Sequence, residues 1–163
     1  MRLLIIRHAI AVPRGTPGIP DEDRPLTPRG VRRFEVVARG LARIVPRPDA
    51  LLTSPLKRAR QTAEIAAEAW GGITPREDPA LAGGRPEEIA ALLGRFGKEG
   101  TVAIVGHEPH LSSLLARLLG STADERLVFR KGGAALLDLA SAVDRGGTLI
   151  WYMPPRILRR LAR

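Results

Sequence analysis

The chain has 163 residues, 44% of them hydrophobic, enough for a packed core in one domain, expected to span residues 1–163. It contains no cysteine, which excludes disulfides, thiolate catalysis and cysteine-ligated zinc or iron-sulfur centres and leaves His, carboxylates, hydroxyls and Arg for chemistry. The formal charge of +9 rests almost wholly on arginine, since Lys57, Lys98 and Lys131 are the only lysines, and it favours anionic partners.

The first predicted element is LLII, residues 3–6, an unbroken aliphatic run of the kind a strand shows when both its faces are buried; it stops at Arg7 and His8. A loop rich in Pro and Gly follows to residue 25, too long for a simple connection and typical of active-site lids. Thr27 is a suitable N-cap, with Pro28 in the first helical position and Val31, Phe34, Val37, Ala38, Leu41 and Ile44 at helical spacing. DALLT, 49–53, predicts a second strand ending at Ser54-Pro55. The next helix runs to about Trp70 and stops at Gly71-Gly72. Pro86 opens a helix with Ile89, Leu92, Leu93 and Phe96 inward. TVAIVG, 101–106, is the clearest buried strand, and Pro109 begins a helix carrying Leu111, Leu114, Leu115 and Leu118. Two later runs, 133–140 and 147–154, predict an antiparallel pair at or near a sheet edge, and a short Arg-rich helix ends the chain.

Alternating strands and helices predict a mainly parallel sheet covered on both faces: a three-layer α/β/α sandwich with an antiparallel edge. In such sheets ligands bind at the carboxyl ends of the parallel strands, where loops and helix N-termini converge. Here those ends carry Arg7-His8, Ser54-Pro55 followed by Arg58 and Arg60, and Gly106-His107. The set suits phosphoryl transfer. Guanidinium forks bind phosphate oxygens bidentately and keep their charge, one neutral imidazole can attack phosphorus, and a second can donate to a non-bridging oxygen. On this reading the first strand aims His8 at a phosphorus with Arg7 beside it.

Arg7-His8-Ala9 after the first strand, SPLKRARQTA at 54–63 and VGHEP at 105–109 resemble the histidine phosphatase superfamily, with its phosphoglycerate-mutase-like fold. The family's usual RHG is RHA here. The small size, RPLTPRG at 24–30, KGG at 131–133 and the terminal Pro-Pro-Arg with its short helix are most similar to the SixA-type phosphohistidine phosphatases. The resemblance implies that His8 is the nucleophile and forms a phosphohistidine intermediate, that Arg7 and Arg58 bind the phosphoryl group, that His107 completes the catalytic set, and that Arg24 adds a phosphate contact from the long loop. Arg60, two residues from Arg58 and so about 200° around the helix, is read as a solvated residue. Gln61 and Thr62 are read as packing or capping residues.

Neither a metal nor another cofactor is expected. A three-histidine site from His8, His107 and His110 would set a cation beside Arg7 and Arg58, with no carboxylate fixed as a partner. Glu108, next to His107, reads as an exposed first-turn acid favoured by the helix dipole, with a supporting group behind the site as the alternative. A glutamate general acid, carried by many superfamily members after the second helix, has no clear match in DPALAGGRPEE. That favours a P–N substrate, whose imidazole leaving group has a conjugate-acid pKa near 6.5 and can take its proton from solvent. Asp21, Glu22, Asp23, Glu77, Asp78 and Glu108 remain alternative donors. The expected substrate is a phosphohistidine protein, with a small phosphorylated molecule as the alternative and a non-catalytic phospho-binding protein behind both. Nucleic acid is not expected, because only 4% of residues are aromatic and the Arg residues are dispersed. No apolar run reaches the ~20 residues of a membrane span and no leader pattern precedes the first strand, so a cytoplasmic protein without membrane contact is expected.

Overall fold

The computed structural model describes residues 1–97, 100–122, 124–139, 143 and 146–163. Six strands, β1 (Arg2–Arg7), β2 (Ala50–Thr53), β3 (Arg76–Glu77), β4 (Thr101–Gly106), β5 (Ala134–Leu139) and β6 (Gly147–Met153), form one sheet in the order β3-β2-β4-β1-β5-β6. β1, β2, β3 and β4 are parallel; β5 runs against β1, and β6 runs against β5. Hence β5 alone opposes the sheet's direction, and β6 at the edge again runs with β1. The expected α/β/α sandwich with an antiparallel edge is what forms. Ala140 of the expected strand 133–140, and most of the turn after it, lie outside the described residues.

The unbroken aliphatic runs acquire their meaning from the pleat. Leu4 and Ile6 of β1, Leu51 of β2, and Ala103 and Val105 of β4 face one layer, packing on Phe34, Val37 and Leu41 of α1 (Pro28–Ile44), the alanines of α2 (Lys57–Ala69) and Leu158 of α6 (Pro155–Leu161). Leu3, Ile5, Leu52, Val102 and Ile104 face the other, against α3 (Ala80–Gly83), α4 (Pro86–Leu93) and α5 (His110–Leu118). Every β1 position from Leu3 to Ile6 is 0% exposed. At about 25 cal/mol per Å² of apolar surface, burial on both faces fixes these strands firmly, and strand ends inherit that rigidity. β3 and α3 were not foreseen: two exposed polar residues and a four-residue helix carry no periodicity.

The long loop is less free than its composition suggests. Its two arms meet in an antiparallel bridge between Ala11 and Leu26. Val12 N–H donates to the Pro25 carbonyl (2.9 Å), Thr27 N–H to the Ile10 carbonyl (2.9 Å) and Leu26 N–H to Gln61 Oε1 of α2 (2.8 Å). The Thr27 hydroxyl caps α1, as expected, by accepting from Gly30 N–H at 2.9 Å. Gly30 is required there because a Cβ would lie 2.0 Å from the Ile10 carbonyl oxygen. At the tip, Asp21–Asp23 form a turn of 3-10 helix folded over the start of α2.

Candidate active site

The order β2-β4-β1 sets three strand ends side by side at the carboxyl edge of the sheet. His8 N–H donates to the Gly106 carbonyl (3.1 Å) and Ser54 N–H to the Val105 carbonyl (3.0 Å), so the residues just past β1, β4 and β2 share one edge. They border a cavity of about 270 Å³ lined by Arg7, His8, Arg14, Arg24, Arg58, His107, Glu108 and Lys131, with Pro13. All five sequence-predicted residues therefore converge on one pocket. Arg60 does not: it is exposed and faces Glu77 at 3.6 Å.

His8 is 6% exposed, and its Nδ1 lies 2.7 Å from the Ala9 carbonyl oxygen. A carbonyl can only accept, so Nδ1 carries the proton and Nε2 keeps its lone pair, with no partner among the described residues. Burial, followed by Arg58, Arg7 and Lys131, pushes the imidazole pKa down to about 3. His8 is thus neutral near pH 7. Ala9, where the family usually has Gly, is itself held by Thr62, whose hydroxyl accepts the Ala9 N–H at 3.0 Å and donates to the Arg58 carbonyl at 2.6 Å. Its φ is negative, so the methyl group causes no backbone strain. Thr62 and Gln61, read from sequence as packing or capping, bond Ala9 and the end of the long loop at Leu26; side-chain hydrogen bonds across 53 and 35 residues leave no sequence signal. Behind His8, Gly132 N–H approaches the Arg7 and His8 carbonyls, both at 3.1 Å, and Gly132 takes a φ of +76°, a conformation that suits glycine.

The second imidazole is oriented from the other end. His107, 5% exposed, places Nε2 2.8 Å from Ser54 Oγ, and Ser54 Oγ accepts Leu56 N–H at 3.2 Å. The hydroxyl can give its proton to Nε2, and in that tautomer Nδ1 is the N–H donor. Burial, then His8 and Arg58, lowers this imidazole to a pKa of about 2. The two rings stand 5.0 Å apart at 50°.

Arg7 is fixed by donating Nη1–H to the Phe129 carbonyl. Arg58, 4% exposed, donates from Nη1 to the Asp21 carbonyl (2.7 Å) and from Nη2 to its carboxylate (3.2 Å). Arg24 reaches the same carboxylate (2.9 Å) and the Val12 carbonyl (2.6 Å), and Arg14 reaches it at 2.9 Å. Asp21 therefore joins three guanidinium groups across the loop and α2, and hydrogen bonds from Arg14 and Arg24 hold its pKa at about 2. That makes it an anchor and removes it as a proton donor. Glu77 and Asp78 lie outside the pocket, the latter accepting Ala80 N–H at 2.9 Å, and Glu22 and Asp23 are exposed.

Glu108 corrects the expectation of an exposed first-turn acid. It lines the pocket, accepts Phe129 N–H on Oε1 (2.8 Å) and the Ser112 hydroxyl on Oε2, and so ties the start of α5 to the segment that holds Arg7. His110 points elsewhere: its Nε2 lies 3.8 Å from where a Cβ of Gly83 would be. Among the described residues no group of three or more His, Cys, Asp or Glu side chains is arranged to hold a metal ion.

Among those residues, three buried side-chain nitrogens lack a hydrogen-bond partner: Arg7 Nε, Arg58 Nε and His107 Nδ1. All three belong to this pocket. Buried donors are costly when unpaired, so three residues carrying such nitrogens around one pocket with His8 suit an anion with several acceptor oxygens.

Residues 3–89 match the family model described as the histidine phosphatase superfamily (branch 1). Over 148 residues the chain is 36% identical to an uncharacterized protein of Picosynechococcus sp., covering 89% of this chain and 88% of that one. Its fold matches the structure of the protein histidine phosphatase SixA complexed with tungstate at a TM-score of 0.83 and 26% identity, over 97% and 99% of the two chains. It also matches a structure named for phosphohistidine phosphatase SixA from Agrobacterium tumefaciens, at a TM-score of 0.78 and 29% identity, over 94% and 97%.

Proposed function

The chain belongs to the histidine phosphatase superfamily and is a hydrolase, and from that premise we propose that it removes phosphoryl groups from phosphohistidine, breaking a P–N bond, with His8 as the nucleophile. The observation that carries the reading is that Arg7, Arg58 and His107, each with a buried side-chain nitrogen lacking a partner, line one pocket with His8, whose Nδ1 is engaged by the Ala9 carbonyl. The likeness to SixA proteins, one of them bound to tungstate, supports it. A single domain over residues 1–163 carries the activity in this reading. The cytoplasmic location expected from the sequence goes with it, and no helix among the described residues is long and apolar enough to cross a membrane.

The substrate's phosphoryl group enters among Arg7, Arg58 and His107 Nδ1–H, with Arg24 and Lys131 adding positive charge at the rim. Burial is the larger cause of the low basicity of His8, and the two negative charges offset the smaller part that comes from Arg58, Arg7 and Lys131. The nucleophile thus strengthens when substrate arrives. Nε2 then attacks phosphorus as the P–N bond breaks, and the departing imidazole takes a proton from solvent. The guanidinium groups hold the charge on the equatorial oxygens throughout. Water next attacks the phosphorus of phospho-His8, phosphate leaves, and Nε2 regains its lone pair.

Glu108 supports the second reading, a phosphomonoesterase for small molecules, because among the described residues it is the one carboxylate lining the pocket. Against it, both its oxygens already accept hydrogen bonds, from Phe129 N–H and from Ser112. Turnover of a phosphohistidine peptide, an aryl phosphate and an alkyl phosphate, with and without Glu108→Gln, separates the two. The proposal expects alkyl phosphates to lag by several orders of magnitude and Glu108→Gln to keep phosphohistidine turnover within about tenfold, since a general acid typically contributes 10²–10⁴-fold. An alkyl phosphate hydrolysed as fast as phosphohistidine, with a loss of 10²-fold or more in Glu108→Gln, establishes the monoesterase instead.

A further inference from the structure

Beside the catalytic pocket runs a second, larger groove of about 470 Å³, within the ~300–1,000 Å³ range of ligand sites. Its floor is apolar, formed by Phe34 and Val37 of α1 and by Pro154 and Pro155 at the start of α6. Its cations come from three segments: Arg33 on α1, Arg130 and Lys131 before β5, and Arg156 and Arg159 on α6. Among the described residues no Asp or Glu lines it.

Seven arginines elsewhere in the molecule are paired with acids. Arg14, Arg24, Arg58, Arg60, Arg85, Arg117 and Arg126 each have a carboxylate within 4.0 Å, whereas among the described residues none of the five groove cations does. Arg159 is depressed from its ordinary pKa by burial and by Arg33 nearby, so like charges are held together here without compensation. The groove also joins the catalytic pocket, because Lys131 lines both and Ala9 of the groove follows His8.

We propose that this groove is a docking subsite for an acidic stretch of polypeptide flanking the phosphorylated side chain of a protein substrate. The proposal deepens the phosphohistidine reading and rests on it for the identity of the phosphorylated residue. Arginine forks on two sides pair with carboxylates bidentately, and the apolar floor accepts intervening side chains, a combination that suits peptide. Nucleic acid suits it less: Phe34 is 1% exposed and no Trp or Tyr lines the groove, so bases find no face on which to stack.

The test uses the full chain saturated with tungstate, so that the catalytic pocket is closed to carboxylates, and a fluorescent peptide rich in Asp and Glu without any phosphoryl group. Anisotropy should show binding that weakens at least tenfold in the double variant Arg33→Glu/Arg156→Glu, and less in Arg33→Gln/Arg156→Gln. A peptide of neutral composition should not bind. In turnover, a phosphohistidine peptide with acidic flanks should show a KM at least tenfold below one with neutral flanks. The double variant should erase that difference while aryl phosphate turnover stays within twofold, which also certifies its fold. Equal KM values together with no binding of the free acidic peptide overturn the groove and leave the catalytic reading intact. Binding of the free peptide with no turnover of any phosphohistidine peptide sinks the catalytic reading and supports the groove. An RNA oligonucleotide of equal charge that binds more tightly than the peptide overturns the assignment in favour of nucleic acid.

Discussion

The catalytic pocket and the groove beside it are both built from arginines, yet their arginines are held in opposite ways. In the pocket Arg7 is fixed by the Phe129 carbonyl, Arg58 by both the backbone and the carboxylate of Asp21, and Arg24 by Asp21 and the Val12 carbonyl. In the groove Arg33, Arg130, Arg156 and Arg159 have no carboxylate partner among the described residues, and Arg130 and Arg156 are exposed. The same side chain thus does two different things. Held by backbone carbonyls and a carboxylate, it meets a transition state without reorganising, and so acts on kcat; left without a carboxylate partner, it raises the local concentration of an anion, and so acts on KM and is weakened by salt.

His8→Ala tests the pocket side of this contrast most severely. Turnover should fall by 10⁴-fold or more, at least about 5.5 kcal/mol, and the acid-labile, base-stable phosphoenzyme seen in quenched reactions of the parent should vanish. Labelling that survives the substitution removes His8 as nucleophile. Arg58→Lys keeps the charge but loses the planar fork that Asp21 orients; kcat/KM should fall about 10²-fold, roughly 2.7 kcal/mol, mostly in kcat. A loss confined to KM would mean that the pocket arginines work as the groove arginines do.

Acid titration separates the regions by stability. The imidazoles of His8 and His107 sit near 3 and 2 when folded against 6.5 for the free group. Between these limits the unfolded chain binds protons that the folded chain does not, so stability is greatest above about pH 6.5 and falls as pH drops. The slope approaches about 1.4 kcal/mol per pH unit for each histidine. Chemical denaturation between pH 6.5 and 5 reads this free of Asp21, whose own lowered pKa adds a loss in the same direction below about pH 5. Replacing His107 with Gln should flatten the curve by one histidine's share, whereas Arg33→Gln should leave its shape unchanged.

The smallest expected effect concerns orientation alone. Ser54→Ala removes the hydroxyl that fixes the His107 tautomer and should cost about tenfold in kcat/KM, or about 1.4 kcal/mol, with a parallel weakening of tungstate binding. Unchanged tungstate affinity would show that His107 Nδ1 presents its proton without help.

By itself the sequence determined the strand–helix alternation, the Thr27 cap, the two-faced burial of β1 and β4, and the arrival of Arg7, His8, Arg58 and His107 at one sheet edge. These are local facts: unbroken apolar runs, Pro at helix starts, and polar residues where a run stops. It did not reveal that β5 alone runs against the sheet, that Glu108 turns into the pocket to hold the Phe129 segment, or that Thr62 and Ser54 orient the catalytic loop and the second imidazole. Nor did it show that dispersed arginines from α1, α6 and the segment before β5 gather into one groove. Those features depend on contacts between residues tens of positions apart. Periodicity reports which face of an element is buried, but only packing of the elements decides which donors meet which acceptors and which charges are left without a partner.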